Sequence, residues 1–420
     1  MVMSGLLATM LAVLLSTGIL PAQTGDPPPP PFCGELAAED CELLATSQAR
    51  MRGLTSMSFA ADLALEITGI PELPDEEASF AFSMDTVVHQ DPVLGQELEA
   101  LASTVTATGA TPEEFGPLLI EFLRTFQLDL DMVLYLPPAL AAEISASEDI
   151  DFPTEIRIPM RIVDGFMYVN AGAMAETIPE MRAELAREGI TGWAGFDLVR
   201  ALELSMDGEL QGEDLQPLDT LAFRFTINNW LNDEATRAWI EQFIIVERLE
   251  DGERDGAALA GFRTTLDLPR MVMNPQFTRY LRDLVDVAIE ATGEEVDSQE
   301  VGAVVLGMQM LATILMNDFQ AEMVQYIGVD DAFLYDHRFD IELGLGGIIT
   351  LLALTGEELP PELVGAEPHF TMNFDTHYAD FDNAPAVEAP EDAYIAPLEP
   401  GDGNLDVISQ RPGAPAMAAA

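Results

Sequence analysis

The nine residues Phe59–Ile67 (FAADLALEI) set Phe59, Ala61, Leu63, Leu65 and Ile67 at odd positions and Ala60, Asp62, Ala64 and Glu66 at even ones. Side chains two apart on an extended strand share a face, so this period of two predicts a strand that is apolar on one side and more polar on the other. The same period returns further along the chain. It runs through Leu128, Leu130, Met132, Leu134 and Leu136, and through Phe262, Thr264, Leu266 and Leu268. It runs again through Phe333, Tyr335, His337, Phe339, Ile341 and Leu343, and through Phe370, Met372 and Phe374. Long apolar helical stretches interrupt these segments. The pattern is that of a sheet with one apolar face roofed by helices, a container more than a catalyst.

The length of 420 residues and an apolar content of 48% supply ample material for a core. Acidic residues number 73 against 18 basic ones, for a formal net charge of -55, and every basic residue is an arginine. Without lysine there is no Walker A phosphate loop, no Schiff base and no Ser-Lys hydrolase. So negative a field also repels phosphate backbones and anionic headgroups, which excludes nucleic acid as a partner. A solvated acidic surface, as in exported or salt-adapted proteins, is the simplest reading, and cations or basic partners suit it.

Residues Leu6–Leu20 (LLATMLAVLLSTGIL) form an apolar run shorter than the roughly 20 residues a spanning helix needs. The run reads as a secretion signal over residues 1–22, cleaved after Ala22, with an uncleaved anchor as the alternative. A Pro-rich linker over 23–32 follows. Pro31 and Phe32 stand before Cys33, so there is no lipobox. The two cysteines, Cys33 and Cys41, are the only ones in the chain, and in an exported protein they are most simply a disulfide closing a short loop, with free thiols as the alternative.

Beyond the linker the spacing predicts a helix over Leu36–Leu54 and strands over Ser58–Thr68 and Ala78–His89. A helical region over Leu94–Phe126 follows, restarted at Thr111-Pro112-Glu113-Glu114. Strands are expected over Gln127–Leu136, Glu155–Val163 and Phe166–Asn170, the last two joined by a hairpin turn at Asp164-Gly165. A second pass over the same plan gives a helix near Asp233–Gln242, strands over Phe243–Leu249 and Ala257–Leu268, and helices over Phe277–Thr292 and Ser298–Tyr326. Ile327–Tyr335 echoes Ile162–Tyr168. The fold class is α+β with a mostly antiparallel sheet, in one domain over 33–397 with two similar halves, about 36–205 and 220–397. Residues 398–420, rich in Pro, Gly and Ala, read as a disordered tail.

The segment His369–Asp392 (HFTMNFDTHYADFDNAPAVEAPED) resembles the closing strand of the LolA-like lipoprotein-carrier superfamily, which includes the LppX- and LprG-like proteins. The resemblance lies in Tyr378, Asp380, Asn383, Pro385, Val387 and Pro390, with support from the turns at Asp164-Gly165 and Asp330-Asp331. It implies a half-barrel of about ten to eleven curved antiparallel strands, with helices on its concave face around an apolar cavity that holds acyl chains. This chain departs from the pattern in lacking the lipobox and in carrying extra helices.

The expected cavity lining is Leu63, Leu65, Leu130, Met132, Leu134, Phe339, Ile341, Met372 and Phe374 from strands, with Met308, Leu311 and Leu315 from the apolar run Val301–Met316. A helix buried on all sides is the simpler reading of that run. Leu343–Leu354, with Gly344, Gly346 and Gly347, reads as a strand end and packed helix, or else as a flexible gate. His377, Asp375, Asp380 and Asp382 have side chains suited to a divalent ion, but an Asp-rich loop is unremarkable in so acidic a chain, and neither a metal nor a cofactor is expected. No EF-hand, H-E-x-x-H or G-x-S-x-G motif occurs. The expectation is an exported, extracytoplasmic, non-enzymatic protein that sequesters or carries a hydrophobic ligand, a lipid. It would not be an integral membrane protein once its signal is removed. A cell-surface interaction module with a filled core is the main rival, and a hydrolase built on paired carboxylates the lesser one.

Overall fold

The computed structural model describes residues 30–69, 79–98, 112–148, 151–206 except 188, 234–292, 298–347 except 317, 349, and 366–396. The expected signal, most of the linker, the C-terminal tail and half of the gate segment, residues 348 and 350–354, lie outside the described residues.

Among the described residues thirteen strands form one sheet. The first six are β1 (Ser56–Thr68), β2 (Ser79–His89), β3 (Gln127–Tyr135), β4 (Glu155–Val163), β5 (Phe166–Asn170) and β6 (Trp193–Asp197). The rest are β7 (Ile244–Arg248), β8 (Gly252–Arg254), β9 (Ala257–Leu266), β10 (Phe319–Gly328), β11 (Leu334–Gly344), β12 (His369–Ala379) and β13 (Tyr394–Ile395). Their order is β13-β6-β5-β4-β3-β2-β1-β12-β11-β10-β9-β7, with β8 paired to β9. The halves are therefore two meanders, joined where the first strand of one pairs with the last strand of the other, from Ser58 opposite Ala379 to Thr68 opposite His369. All pairings are antiparallel except β13 on β6.

Turn chemistry explains two of the tight connections. Asp164 and Gly165 both take positive φ, 53° and 80°, and Asp255 and Gly256 do the same at 53° and 83°. Two successive left-handed residues make the turn whose twist matches that of the flanking strands, and Asp-Gly is a favoured pair for it.

Three sequence expectations are corrected. The helix expected over Ser298–Tyr326 ends at Met316, and Phe319–Gly328 is a strand. Phe319, Ala321, Met323, Gln325 and Ile327 alternate with period two, and Asn317-Asp318 supplies the break, so β10 was legible but was masked by the apolar run before it. Leu268 is not on a strand: the Asp267 side chain accepts from Arg270 N at 3.1 Å and caps a short helix, Leu268–Val272. The short strands β6, β8 and β13 raise the count above the expected ten or eleven.

Helix α1 (Ala38–Arg52) crosses one end of the inner sheet face. Its Leu44 packs with Val246, Ala260, Phe262 and Ile327 of β7, β9 and β10, while Met51 packs with the larger cluster built on β1–β5. The Cys33–Cys41 disulfide is present, with Cα atoms 5.5 Å apart, and ties the N-terminal segment to α1.

After β12 the chain becomes a strap, and the residues of the closing motif acquire physical roles. Tyr378 is buried with its ring 5.9 Å from that of Phe59. Asp380 accepts from Ser58 Oγ at 2.6 Å, and Asp382 accepts from Thr55 N and Thr55 Oγ1 at 2.8 and 2.9 Å. The Pro385 carbonyl meets His89 Nε2 at 2.8 Å, and Val387 is buried against Val163 and Tyr168. The strap thus binds the end of the second meander across the first.

Candidate ligand-binding site

Strand register sorts the inner face into rows running across the sheet. One row passes Met132, Met84, Ala61, Thr376, His337, Gln325 and Phe262 on β3, β2, β1, β12, β11, β10 and β9. The next passes Leu134, Phe82, Leu63, Phe374, Phe339, Met323 and Thr264. Below it lie Phe80, Leu65, Met372, Ile341 and Ala321, and then Ile67, Phe370, Leu343 and Phe319.

Burial falls along these rows, although His337 and Gln325 of the first are half-buried and Phe82 of the second is buried. In the first, Ala61, Thr376 and Phe262 are 1%, 0% and 1% exposed. In the second, Leu63, Phe374, Phe339 and Met323 are only half-buried. The same holds for every residue of the third, and in the fourth Ile67 reaches 37% exposure. Helix α1 therefore fills one end of the inner face and leaves a strip of about a dozen apolar side chains half-covered at the other.

Nine of the twelve expected lining residues meet on this single face. Leu63, Leu65, Phe339, Ile341, Met372 and Phe374 belong to the half-covered strip, Leu134 sits at its margin, and Leu130 and Met132 are buried in the core. Met308 and Leu311 lie on a separate helix, Ser298–Met316, and each is 38% exposed. That helix is not buried on all sides: Val301 and Val305 are covered by Leu281, while Val304, Leu306 and Met310 are exposed. The side chain of Leu315 lies outside the described residues. Sequence reading passed over Phe80, Phe82 and Met84 of β2, which alternate as clearly as Phe59–Ile67, and over Phe319, Ala321 and Met323 of β10. No helix among the described residues is long and apolar enough to cross a membrane.

The likeness to known proteins is one of solved structures only. No family model matches the chain, and no curated protein matches it. LprF from Mycobacterium bovis is similar at a TM-score of 0.28 and 10% identity, over 83% of this chain and 95% of that one. The Mycobacterium tuberculosis lipoprotein LppX is similar at 0.25 and 11%, over 83% of this chain and 100% of that one. The closing-strand resemblance named the same group. At TM-scores this low the fold assignment rests on this chain's own strand order.

The outer face is polar and poor in compensating charge. Asp62 lies directly opposite Asp375, Asp85 opposite Asp131, and Glu322 opposite Asp340. Arginines relieve part of this: Arg161 reaches Asp129 at 3.1 Å, Arg157 pairs with Asp131, and Arg338 reaches Asp340 at 2.7 Å. Like charges facing each other across strands repel, and salt screens them. Raising NaCl from about 20 mM to about 500 mM is expected to raise Tm by on the order of 5 °C, checked by calorimetry; an unchanged or lower Tm would show that these pairs carry no strain.

The residues considered for a divalent ion do not converge. His377 Nδ1 contacts Asp336 Oδ1 at 2.5 Å, Asp336 is held by Arg254 at 2.9 Å, Asp380 serves Ser58 and Asp382 serves Thr55. No group of three potential ligands forms among the described residues. Two open depressions, about 470 Å³ beside Thr55, Gln90 and Gln127 and about 460 Å³ over Arg263, Glu322, Asp336 and His377 with His337 and Thr376 also in its lining, mix polar and apolar surface.

His337 is the one titratable side chain in the four rows of the inner face set out above. Burial pushes its pKa below the usual histidine value, with the Asp375 charge acting the other way. An unfolded histidine titrates near 6.5, so below that pH the unfolded chain takes up the proton more readily than the folded one. The stability tied to His337 is therefore whole above about pH 6.5 and declines as pH falls through that value toward the lower folded pKa. His337→Gln is expected to lose less stability than the wild type between about pH 7 and pH 5, measured by urea melts at each pH; parallel pH profiles would contradict the assignment.

Proposed function

We propose that the protein is an exported, non-enzymatic carrier that holds a hydrophobic ligand, a lipid, along the half-covered strip of its inner face. One observation supports this reading above the others: the apolar rows of a single curved sheet are filled by α1 at one end and left half-covered at the other. Apolar burial contributes about 25 cal/mol per Å² removed from water, so a chain laid along the strip gains several kcal/mol without a catalytic group. An extracytoplasmic location fits the Cys33–Cys41 disulfide, which persists in oxidising compartments. The rival reading, an interaction module with a filled groove, draws on the filling of the α1 end.

Native mass spectrometry of protein purified from its own host, together with uptake of a long-chain fluorescent fatty acid by delipidated protein, tests the proposal. Co-purifying lipid and saturable uptake are the expected results. Empty protein that takes up no probe would overturn it in favour of the filled-groove module.

A further inference from the structure

The inner face is wholly apolar in two of the four rows described above and in a third but for Thr264 at its β9 end, and the main exception lies at one place. In the first row Thr376, His337 and Gln325 stand side by side on β12, β11 and β10, at the boundary between the end filled by α1 and the half-covered strip. Thr376 Oγ1 and His337 Nε2 are both shielded from solvent, and neither makes a hydrogen bond of sound geometry. The Tyr378 hydroxyl, two residues along on the same face, makes only a poorly aligned hydrogen-bond contact with Thr376. Folded proteins rarely leave buried polar atoms unsatisfied, and two neighbours in that state on one apolar face call for a partner from outside the chain.

We propose, resting on the carrier reading above, that His337 and Thr376 form a hydrogen-bonding subsite for the uncharged polar end of the lipid, a hydroxyl or a carbonyl. The hydrocarbon chain then runs down the strip past Phe339 and Ile341 toward Leu343. From His337 to Leu343 the strand spans about 20 Å, enough for a long acyl or alkyl chain.

Charge decides the class of head. Among the described strand residues of this face the one arginine is Arg248, at the β7 edge, and it is already engaged by Asp40, Asp251 and the carbonyls of Leu249 and Gly261. Burial favours the neutral form of His337, so the subsite itself offers no positive charge to a carboxylate or phosphate. An anionic head would be buried without compensation in a chain whose formal net charge is -55. A neutral imidazole nitrogen and a hydroxyl, which between them donate and accept, match a neutral head.

Delipidated full-length protein titrated with hexadecanol, hexadecane and palmitate provides the test. Hexadecanol is expected to bind at least about ten-fold more tightly than either of the others. In His337→Phe the hexadecanol preference over hexadecane should vanish while hexadecane affinity holds. His337→Gln, which keeps a hydrogen-bonding group, should retain the preference and guards against a misfolded Phe variant. Equal affinity for hexadecanol and hexadecane, or tightest binding of palmitate, would overturn the subsite and leave the carrier reading standing. Failure to bind all three would instead remove the carrier reading, and the subsite with it.

Discussion

Phe262→Ala is expected to lower the free energy of unfolding by about 3–5 kcal/mol, the range for deleting a fully buried ring. Phe262 is 1% exposed and packs with Leu44 of α1, Ala260 and Ile327, with the Arg248 guanidinium 5.1 Å from its ring centroid. Little can collapse into the space it would leave, because the helix on one side and the sheet on the other are each held by many other contacts. Phe339→Ala makes the same chemical change one row away on the same face. Phe339 is only half-buried, so the loss there is expected to be no more than about half as large. Urea or guanidinium melts of both variants measure the difference. Equal losses would mean that both ends of the inner face are packed alike, and the half-covered strip would lose its meaning as a binding surface.

Met372→Glu is the variant expected to harm ligand binding most. Met372 lies between Leu65 and Ile341 at the middle of the strip, half-buried and without a cationic neighbour across either strand. In the unliganded protein a carboxylate at a half-buried site can still reach water, so the fold is expected to survive with a loss of about 1–2 kcal/mol. With a hydrocarbon chain laid over it, that carboxylate must be desolvated or protonated, and either one costs several kcal/mol. Affinity for a long-chain fluorescent probe should fall by roughly 100-fold or more. Met372→Leu, which conserves apolar volume, should bind within a few-fold of the wild type. A Met372→Glu protein that binds as tightly as the wild type would place the ligand elsewhere.

The alternating segments are legible in the sequence because a strand repeats every two residues, and one buried face leaves that period in the order of residues. Phe59–Ile67, Leu128–Leu134 and Phe370–Phe374 all lie on strands with the apolar phase facing inward. The Asp164-Gly165 turn was equally readable, since a pair of left-handed residues demands that chemistry. Where reading failed, a competing signal stood next to the true one. The almost wholly apolar run Val301–Met316 carried the helical expectation past Asn317-Asp318 and concealed β10. Leu268 continued an apparent alternation until the Asp267 cap turned the chain into a helix.

Local pattern determined which side chains are inward, how the hairpins turn and that Cys33 can reach Cys41, because each of these depends on neighbours a few positions away. Tertiary structure decided that the two meanders join at β1 and β12 into one sheet, that α1 fills only one end of its inner face, and that Met308 and Leu311 stand exposed on their helix. It also set His337 beside Thr376, residues 39 positions apart by their numbers, at the edge of the half-covered strip. Pairings of that kind depend on which distant strand supplies the missing hydrogen bonds and how much apolar area each arrangement removes from water, and no local period carries that information.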